Sequence, residues 1–231
     1  MFVLRNRFDR ELELLNTELT EMGGLIETAI EYAVNALFQR GGQMAKSAME
    51  YDMEVDHMEQ TIETRCLRLL LQQQPVAKDL RVVSAALKMI TDMERIGDQS
   101  GDIAELSMRL PETVDFQRLE HIRTMAKCAS KMVTDAIDAF VGRNLALAES
   151  IAQADDEVDH LFDVVRDDLI EIVRRDSGDV AAAIDLLMVA KYFERIGDHA
   201  VNISEWVVYS ITGEHRSDEE KGKYPNVFAK N

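Results

Sequence analysis

The chain contains few of the residues that interrupt helices. Among its 231 residues are 3 prolines and 11 glycines, and long stretches of helix-forming residues lie between them. Because proline and glycine destabilise helix interiors, their scarcity together with these stretches predicts an all-α protein. Hydrophobic residues make up 46% of the chain, which is enough to bury a substantial core.

Positive charge is also scarce. Lysine and arginine number 26 against 43 aspartates and glutamates, so the formal net charge is −17. Such a balance argues against direct nucleic-acid binding, because the phosphate backbone requires a basic surface. It is compatible with a metal-binding surface, with a partner that has a basic face, or with solubility alone.

Cysteines and long apolar runs are few or lacking. The two cysteines, Cys66 and Cys128, do not occupy equivalent positions in the repeat described below, and both lie among apolar residues. We interpret them as reduced thiols of the core. No apolar run reaches the length of a membrane span, and the first residues do not have the shape of a signal peptide. We therefore expect a soluble cytoplasmic protein.

A five-residue sequence, Glu-Arg-Ile-Gly-Asp, occurs at residues 94–98 and again at 194–198. Its surroundings match as well, since Asp79, Leu87 and Ile103 have identical residues 100 positions later. Further upstream, residues 51–57 resemble residues 154–160 at an offset of 103. The offset changes within one short stretch, so the difference is one of loop length. The chain is a duplicated unit of about 100 residues, the size of a small domain.

Each unit is predicted to form three helices. Apolar periodicity and helix-ending signals place the first helix at residues 8–39 and the second at 43–72. The third helix follows the break at Gln74-Pro75-Val76 and ends at about residue 110. In the second unit they lie at 114–141, 144–175 and 179–211. The predicted fold is all-α, with six helices in two tandem three-helix bundles from an internal duplication. The expected units are residues 1–110 and 111–213, followed by a polar tail, 214–231.

The third helix of each unit has acidic residues at a spacing of four. Glu94, Asp98 and Asp102 therefore share one face, and Glu194, Asp198 and Asn202 share the equivalent one. Like charges four residues apart destabilise a helix, so a compensating cation is expected. A glycine stands between them in each helix, at 97 and 197, which indicates close approach of another group.

The second helix of each unit has a matching acidic face. Asp52 and Asp56 lie as far before the predicted turn as Glu94 and Asp98 lie after it, so these side chains reach the same height. Carboxylates from two helices suit hard cations or an oxo-bridged iron cluster. We predict bound iron, zinc, manganese or magnesium ions, singly or in multinuclear clusters. The predicted ligands are Asp52, Asp56, Glu94, Asp98 and Asp102, with Asp155, Asp159, Glu194, Asp198 and Asn202.

Two alternatives limit this interpretation, a solvated acidic face and a di-iron site. The acidic faces are often only solvated in other helices, and Asn202 supplies one ligand charge fewer, so the two sites need not be equivalent. Residues 54–57 and 157–160 are Glu-x-x-His sequences, as in carboxylate-rich iron storage or di-iron redox proteins. However, His57 points about 130° away from the apolar face of its helix, whereas di-iron ligands project into the core. Arg95 and Arg195 are expected to be ion-pair partners of the carboxylates.

The chain resembles the PhoU family, the phosphate uptake regulators, over nearly its whole length. The resemblance is carried by residues 74–81, 92–98, 192–203 and 207–213, together with the duplication. It implies two three-helix bundles, surface metal clusters at Glu94/Asp98 and Glu194/Asp198, and a regulator rather than an enzyme. It also implies repression of the phosphate-starvation response through two partners, the ATPase of the phosphate ABC transporter and a sensor histidine kinase. The protein would reach the membrane only through these partners, and we expect a homodimer.

Overall fold

The computed structural model describes residues 2–73, 77–111, 120–175 and 180–214. The described residues form six helices: α1 Phe2–Gln39, α2 Gly42–Gln73, α3 Ala77–Ser107, α4 Glu120–Val141, α5 Leu145–Arg175 and α6 Val180–Thr212. The predicted all-α fold of six helices is confirmed. The third helix ends three residues earlier than predicted, because residues 108–110 form a turn. The predicted turns at 74–76 and 176–179 and the tail from 215 onward lie outside the described residues.

Local backbone chemistry determines where the helices end. Arg40, at the end of α1, and Arg143, between α4 and α5, have φ angles of 54° and 50° and so adopt the left-handed conformation. The side-chain oxygen of Asn144 then accepts a hydrogen bond from the amide of Leu147, 3.1 Å away, and caps α5. Gly213 ends α6 with a φ of 85°, a value at which glycine carries no steric cost.

The two bundles share one core. Helices α1, α2 and α3 pack together, as do α4, α5 and α6, and the bundles meet through α1 against α4 and α3 against α6. Met89, Ile96 and Ile103 of the predicted apolar line on α3 are fully buried, whereas Val82 at its start is only partly buried. Buried residues of all six helices belong to a single apolar cluster.

Helices α3 and α6 run antiparallel across the centre of the molecule. Three contacts follow their length: Arg81 with Gly213, Asp92 with Asn202 and Asp102 with Tyr192. Asp92 is the repeat equivalent of Tyr192, and Asp102 is the equivalent of Asn202, so the last two contacts are exchanged by an approximate two-fold axis. Gly97 and Gly197 lie midway between the contacting positions. Polar side chains of α3 therefore lie beside the acidic face of the second unit, and polar side chains of α6 lie beside the acidic face of the first unit.

Two adjacent glycines in α1 have different surroundings. A Cβ atom on Gly23 would lie 2.7 Å from Cδ1 of Ile137 on α4, whereas one on Gly24 would meet nothing within 4 Å. Gly23 therefore permits the close approach of α1 and α4, while Gly24 lies at an open position.

We expect Gly24→Ala to raise the free energy of unfolding by about 1 kcal/mol, because alanine is the better helix former. The same change at Gly23 gains as much in helix propensity but must displace Ile137, so it should stabilise less or destabilise the protein. Urea unfolding of both variants measures the difference. Equal stabilisation would show that α4 does not constrain position 23.

The remaining expectations concern thiols and membrane spans. Cys66 is buried and Cys128 partly buried, and both are free thiols, as predicted. Burial raises the pKa of the Cys66 thiol to about 12, which keeps it protonated. None of the helices among the described residues has both the length and the apolar character needed to cross a membrane.

Candidate metal centre

Three aspartates from two helices converge on the surface of the first bundle. Asp52 and Asp56 lie one turn apart on α2, and Asp98 faces them from α3; one carboxylate oxygen from each lies within 4.8 Å of the others. Within the part of the chain that the structure describes, no other group of three potential metal ligands comes this close. Carboxylate oxygens at such separations are compatible with a shared hard cation.

Two glycines in α3 make room for the Asp52 carboxylate. A Cβ atom on Gly101 would lie 2.9 Å from Oδ2 of Asp52, and one on Gly97 would lie 3.0 Å from its Oδ1. Any larger residue at these positions would push the carboxylate away from the helix. The close approach predicted at Gly97 is therefore confirmed, and Gly101, whose equivalent in the repeat is Val201, adds a second contact of the same kind.

The cluster concentrates negative charge at a position that is partly shielded from solvent. Burial first, and then the carboxylates of Asp56, Asp98, Asp102 and Glu94, raise the pKa of Asp52 from 3.8 to about 7. Burial also raises the pKa values of Asp56, Glu94 and Asp102. The four neighbours of Asp52 in this network are all predicted metal ligands.

Two oxygens of the cluster lack protein partners. The Oδ1 atoms of Asp52 and Asp56 are buried and accept no hydrogen bond from the described residues. Buried polar atoms of this kind normally have a partner, which a bound cation would supply. The donor set therefore fits a hard cation, held by Asp52, Asp56 and Asp98 with Glu94 and Asp102 at the edge of the cluster.

An open groove of about 570 Å³ lies over the cluster. Its walls include Met49, Met53, Gln99, Glu105 and two arginines, together with Asp52, Asp98, Gly101 and Asp102. Arg95 pairs with Glu94 at 3.4 Å and with Asp98 at 3.1 Å, as predicted. Arg195 reaches this groove from the second unit. Its positive charge lowers the pKa of Asp102 on α3, so it is a charge partner of that carboxylate, whereas its ion pair with the neighbouring carboxylates of α6 stays a prediction.

The second acidic face is arranged differently. Asp155 is buried, with Oδ1 3.2 Å from the Cβ position of Gly197, so its placement mirrors that of Asp52. Glu194 is paired with Lys191 at 2.5 Å. The amide nitrogen of Asn202 donates a hydrogen bond to Oδ1 of Asp92, 3.1 Å away on α3. Asp159 and Asp198 are partly buried on α5 and α6, and the described residues here do not gather three ligand atoms as the first face does.

Several residues near the faces were not identified from the sequence. His199 lies with Nδ1 2.9 Å from the same Asp92 oxygen, and Tyr192 hydrogen-bonds with Asp102. Gln99, the equivalent of His199, is 4% exposed and lines the first groove. These residues flank the repeated five-residue sequence, but their contacts depend on how the two bundles cross, which no spacing within one unit indicates.

The Glu-x-x-His sequences do not face the core. Glu54, His57, Glu157 and His160 are all exposed. Ligands of a di-iron bundle must project inward from facing helices. The structure therefore does not support the di-iron storage or redox alternative at these residues.

Comparison with known proteins places the chain in a family. The model of the PhoU domain matches residues 19–107 and again 122–207, which are the two repeats. A phosphate-specific transport system accessory protein PhoU homolog from Clostridium acetobutylicum is 37% identical, over 90% of this chain and 96% of that protein. A homolog from Pseudomonas aeruginosa is 34% identical, over 91% of this chain and 87% of that protein.

Solved structures agree with these relatives. The crystal structure of PhoU from Pseudomonas aeruginosa superposes with a TM-score of 0.83 at 34% identity, covering 90% of this chain and 100% of the other. The PhoU regulatory protein of the phosphate transport system from Streptococcus pneumoniae also has a TM-score of 0.83, at 29% identity, covering 91% of this chain and 99% of the other. With both repeats matched by the family model and the fold shared along its length, this chain belongs to the PhoU family.

Proposed function

We propose that this protein regulates phosphate uptake as an accessory of a phosphate-specific transport system. The observation that supports the proposal is similarity along the whole chain to proteins named as such accessories, both in sequence and in fold. In this role the protein acts through contacts with partners rather than by transforming a substrate.

The finer part of the proposal is metal binding at the first acidic face. Asp52, Asp56 and Asp98 hold the cation, and the carboxylates of Glu94 and Asp102 add negative charge beside them. A hard cation supplies positive charge that offsets carboxylate repulsion, and it links α2 to α3 through oxygen ligands. The proposed metal sites are unequal, since Lys191 and Asp92 occupy polar groups of the second face. A metal site on Asp155, Asp159, Glu194 and Asp198 is the weaker part of the proposal.

The proposed partners are the ATPase of the transporter and a sensor histidine kinase. When phosphate is plentiful, the protein would restrain the kinase and so repress the starvation response. The metal-bearing face is exposed at the groove and lies on the outer helix α2 and on α3, where a partner could contact it. A homodimer of this chain remains part of the same proposal.

A phosphatase reporter of the starvation response tests this role. Deletion of the gene should leave the reporter active in excess phosphate, and the wild-type gene should silence it. The double variant Asp52→Asn/Asp98→Asn should fail to silence it, because the cluster loses two of its three charged ligands. Glu54→Gln, which removes an exposed carboxylate from the same helix, should silence the reporter as the wild type does.

The outcomes separate the two levels of the proposal. A reporter that stays silent in the deletion strain would overturn the regulatory role. Silencing by the double variant, together with normal protein levels, would overturn the role of the metal face while leaving phosphate regulation intact.

A further inference from the structure

The first three turns of α6 expose only apolar residues. Between residues 180 and 190 the exposed positions are Val180, Ala181, Ile184 and Met188. Three of them lie four residues apart and form one ridge along the helix, and Ile184, in its middle, is 57% exposed. The first unit does not repeat this ridge, because the equivalents of Ala181, Ile184 and Met188 are an arginine, a serine and a lysine.

Ile170 of α5 lies beside this ridge and is 43% exposed. Helices α5 and α6 are antiparallel, and Asp155 packs against Gly197. Ile170 is fifteen residues beyond Asp155, so it reaches the height of residue 182 on α6. The ridge and Ile170 are therefore neighbours along the two helices.

The ridge and Ile170 also lie on the same side of the second unit. Ile170 follows Asp159 by three helical turns, and Ile184 precedes Asp198 by about four, so both point to the side of the second acidic face. We call Val180, Ala181, Ile184, Met188 and Ile170 together the α6 patch. An exposed apolar patch on a folded protein indicates a surface that another molecule covers.

The α6 patch lies in an uncharged part of an acidic chain. Residues 166–175 contain three basic and three acidic residues, and residues 180–191 contain one of each, so both segments have a formal charge of zero, against −17 for the whole chain. Around the patch, Arg175 pairs with Glu171, and Lys191 pairs with Glu194. A second copy of the chain is therefore not repelled here, as it is at the acidic faces.

We propose that the α6 patch is the interface through which two copies of this chain form a homodimer. This inference rests on the homodimer of the proposed function and names its surface. A two-fold axis at Ile184 packs the ridge of one copy against that of the other, with Val180 opposite the partner's Met188. Ridges of residues four apart interdigitate in the commonest class of helix pair. An apolar centre inside a rim of polar and charged residues is typical of stable interfaces.

The repeat explains why this contact stops at two copies. A two-fold contact uses the same surface on both chains, so the assembly is closed. The equivalent segments of the first unit, residues 63–72 and 80–91, contain four basic residues and one acidic residue. Two such ends repel each other, so the first unit does not extend the dimer into a larger assembly.

Sedimentation equilibrium of the full chain tests the inference. The wild type should have twice the chain mass of 26.2 kDa, and EDTA should not change this mass, because the patch is separate from the carboxylate cluster. Ile184→Lys should raise the dissociation constant at least about thirtyfold, since it puts a charge at the centre of the contact in both copies. Leu71→Lys, the same change at an exposed residue of α2, is the control and should remain dimeric.

A mixture of two variants tests the two-fold symmetry. Position 184 faces its own copy at the proposed axis, so Ile184→Lys and Ile184→Glu should each be monomeric, and mixing them should restore a dimer. The double variant Ile184→Ser/Met188→Lys introduces the residue types of the equivalent positions in α3, which the same fold accommodates. It should also be monomeric, and circular dichroism checks that every variant is folded.

The remaining outcomes each overturn the inference. A wild type that is monomeric at micromolar concentrations would overturn both the homodimer and its interface, while phosphate regulation is judged separately by the reporter. A dimer that persists in Ile184→Lys would overturn the α6 patch and leave the homodimer standing. A monomeric wild type whose Ile184→Lys variant fails to silence the reporter would assign the patch to a partner protein instead of a second copy.

Discussion

Asp52→Asn should stabilise the metal-free protein and remove its stabilisation by metal. In EDTA at pH 8 we expect the free energy of unfolding to rise by about 1–3 kcal/mol, less than the full pKa shift implies because water in the groove screens the charges. The reason is that asparagine has nearly the shape of aspartate but is not repelled by the surrounding carboxylates. In Mn²⁺ the wild type should gain about 2.7 kcal/mol at a concentration of 100 times Kd, and the variant should gain little.

The pH dependence of the free energy of unfolding provides a second test of the effect of Asp52→Asn, because its direction can be derived from the pKa of Asp52. Because the pKa of Asp52 is raised from 3.8 to about 7 in the folded protein, the folded state binds more protons than the unfolded state between these values. Stability in EDTA therefore falls as the pH rises through this window, and it levels off above it. Urea unfolding of wild type and variant should show curves that converge near pH 4 and separate by pH 7.

The control for this comparison is Glu54→Gln, which removes an exposed carboxylate outside the cluster. It should follow the wild type at every pH and retain the response to Mn²⁺. Wild-type and Asp52→Asn curves that remain parallel from pH 4 to pH 8 would show that Asp52 is solvated rather than held in the cluster.

Gly101→Ala should weaken metal binding without weakening the fold. The new Cβ would lie 2.9 Å from Oδ2 of Asp52, so the carboxylate must move away from its two partners. Alanine is also the better helix former, by about 1 kcal/mol, so stability in EDTA should be kept or increased. Metal affinity should fall at least about tenfold, the scale of losses that follow when a ligand is displaced. Isothermal titration with Mn²⁺ measures the affinity, and urea unfolding measures the stability.

Gly24→Ala is the matched control for this variant. It replaces another helical glycine, one at which an added Cβ meets nothing within 4 Å, and it lies in α1, outside the cluster. Its affinity for Mn²⁺ should equal that of the wild type. Unchanged affinity in Gly101→Ala as well would mean that Asp52 is not a ligand.

Much of the fold could be predicted because its causes are local. The scarcity of proline, the apolar periodicity and the repeat offset predict six helices in two units, and α1 and α4 end at Gln39 and Val141 as predicted. The convergence of Asp52, Asp56 and Asp98 also follows locally. Two helices joined by a short turn are antiparallel, so distance from the turn determines height.

The contacts between the bundles could not be predicted in this way. Both units present similar apolar faces, and periodicity does not determine which faces pack together or at what register. The role of Gly23 depends on Ile137, which is 114 residues away in the chain. The position of Arg195 in the first groove likewise depends on how α6 crosses α3.

The difference between the two acidic faces shows where the sequence stops being sufficient. The amino-acid sequence by itself determined the duplication, the helices and the two carboxylate faces, because these features depend on residue type and on spacing within about 100 residues. Only the tertiary structure decided that Asn202 bonds with Asp92 while Gln99 and Arg195 line the first groove. The physical reason is that antiparallel packing of α3 and α6 brings each unit's polar side chains to the other, and that register is a property of the shared core.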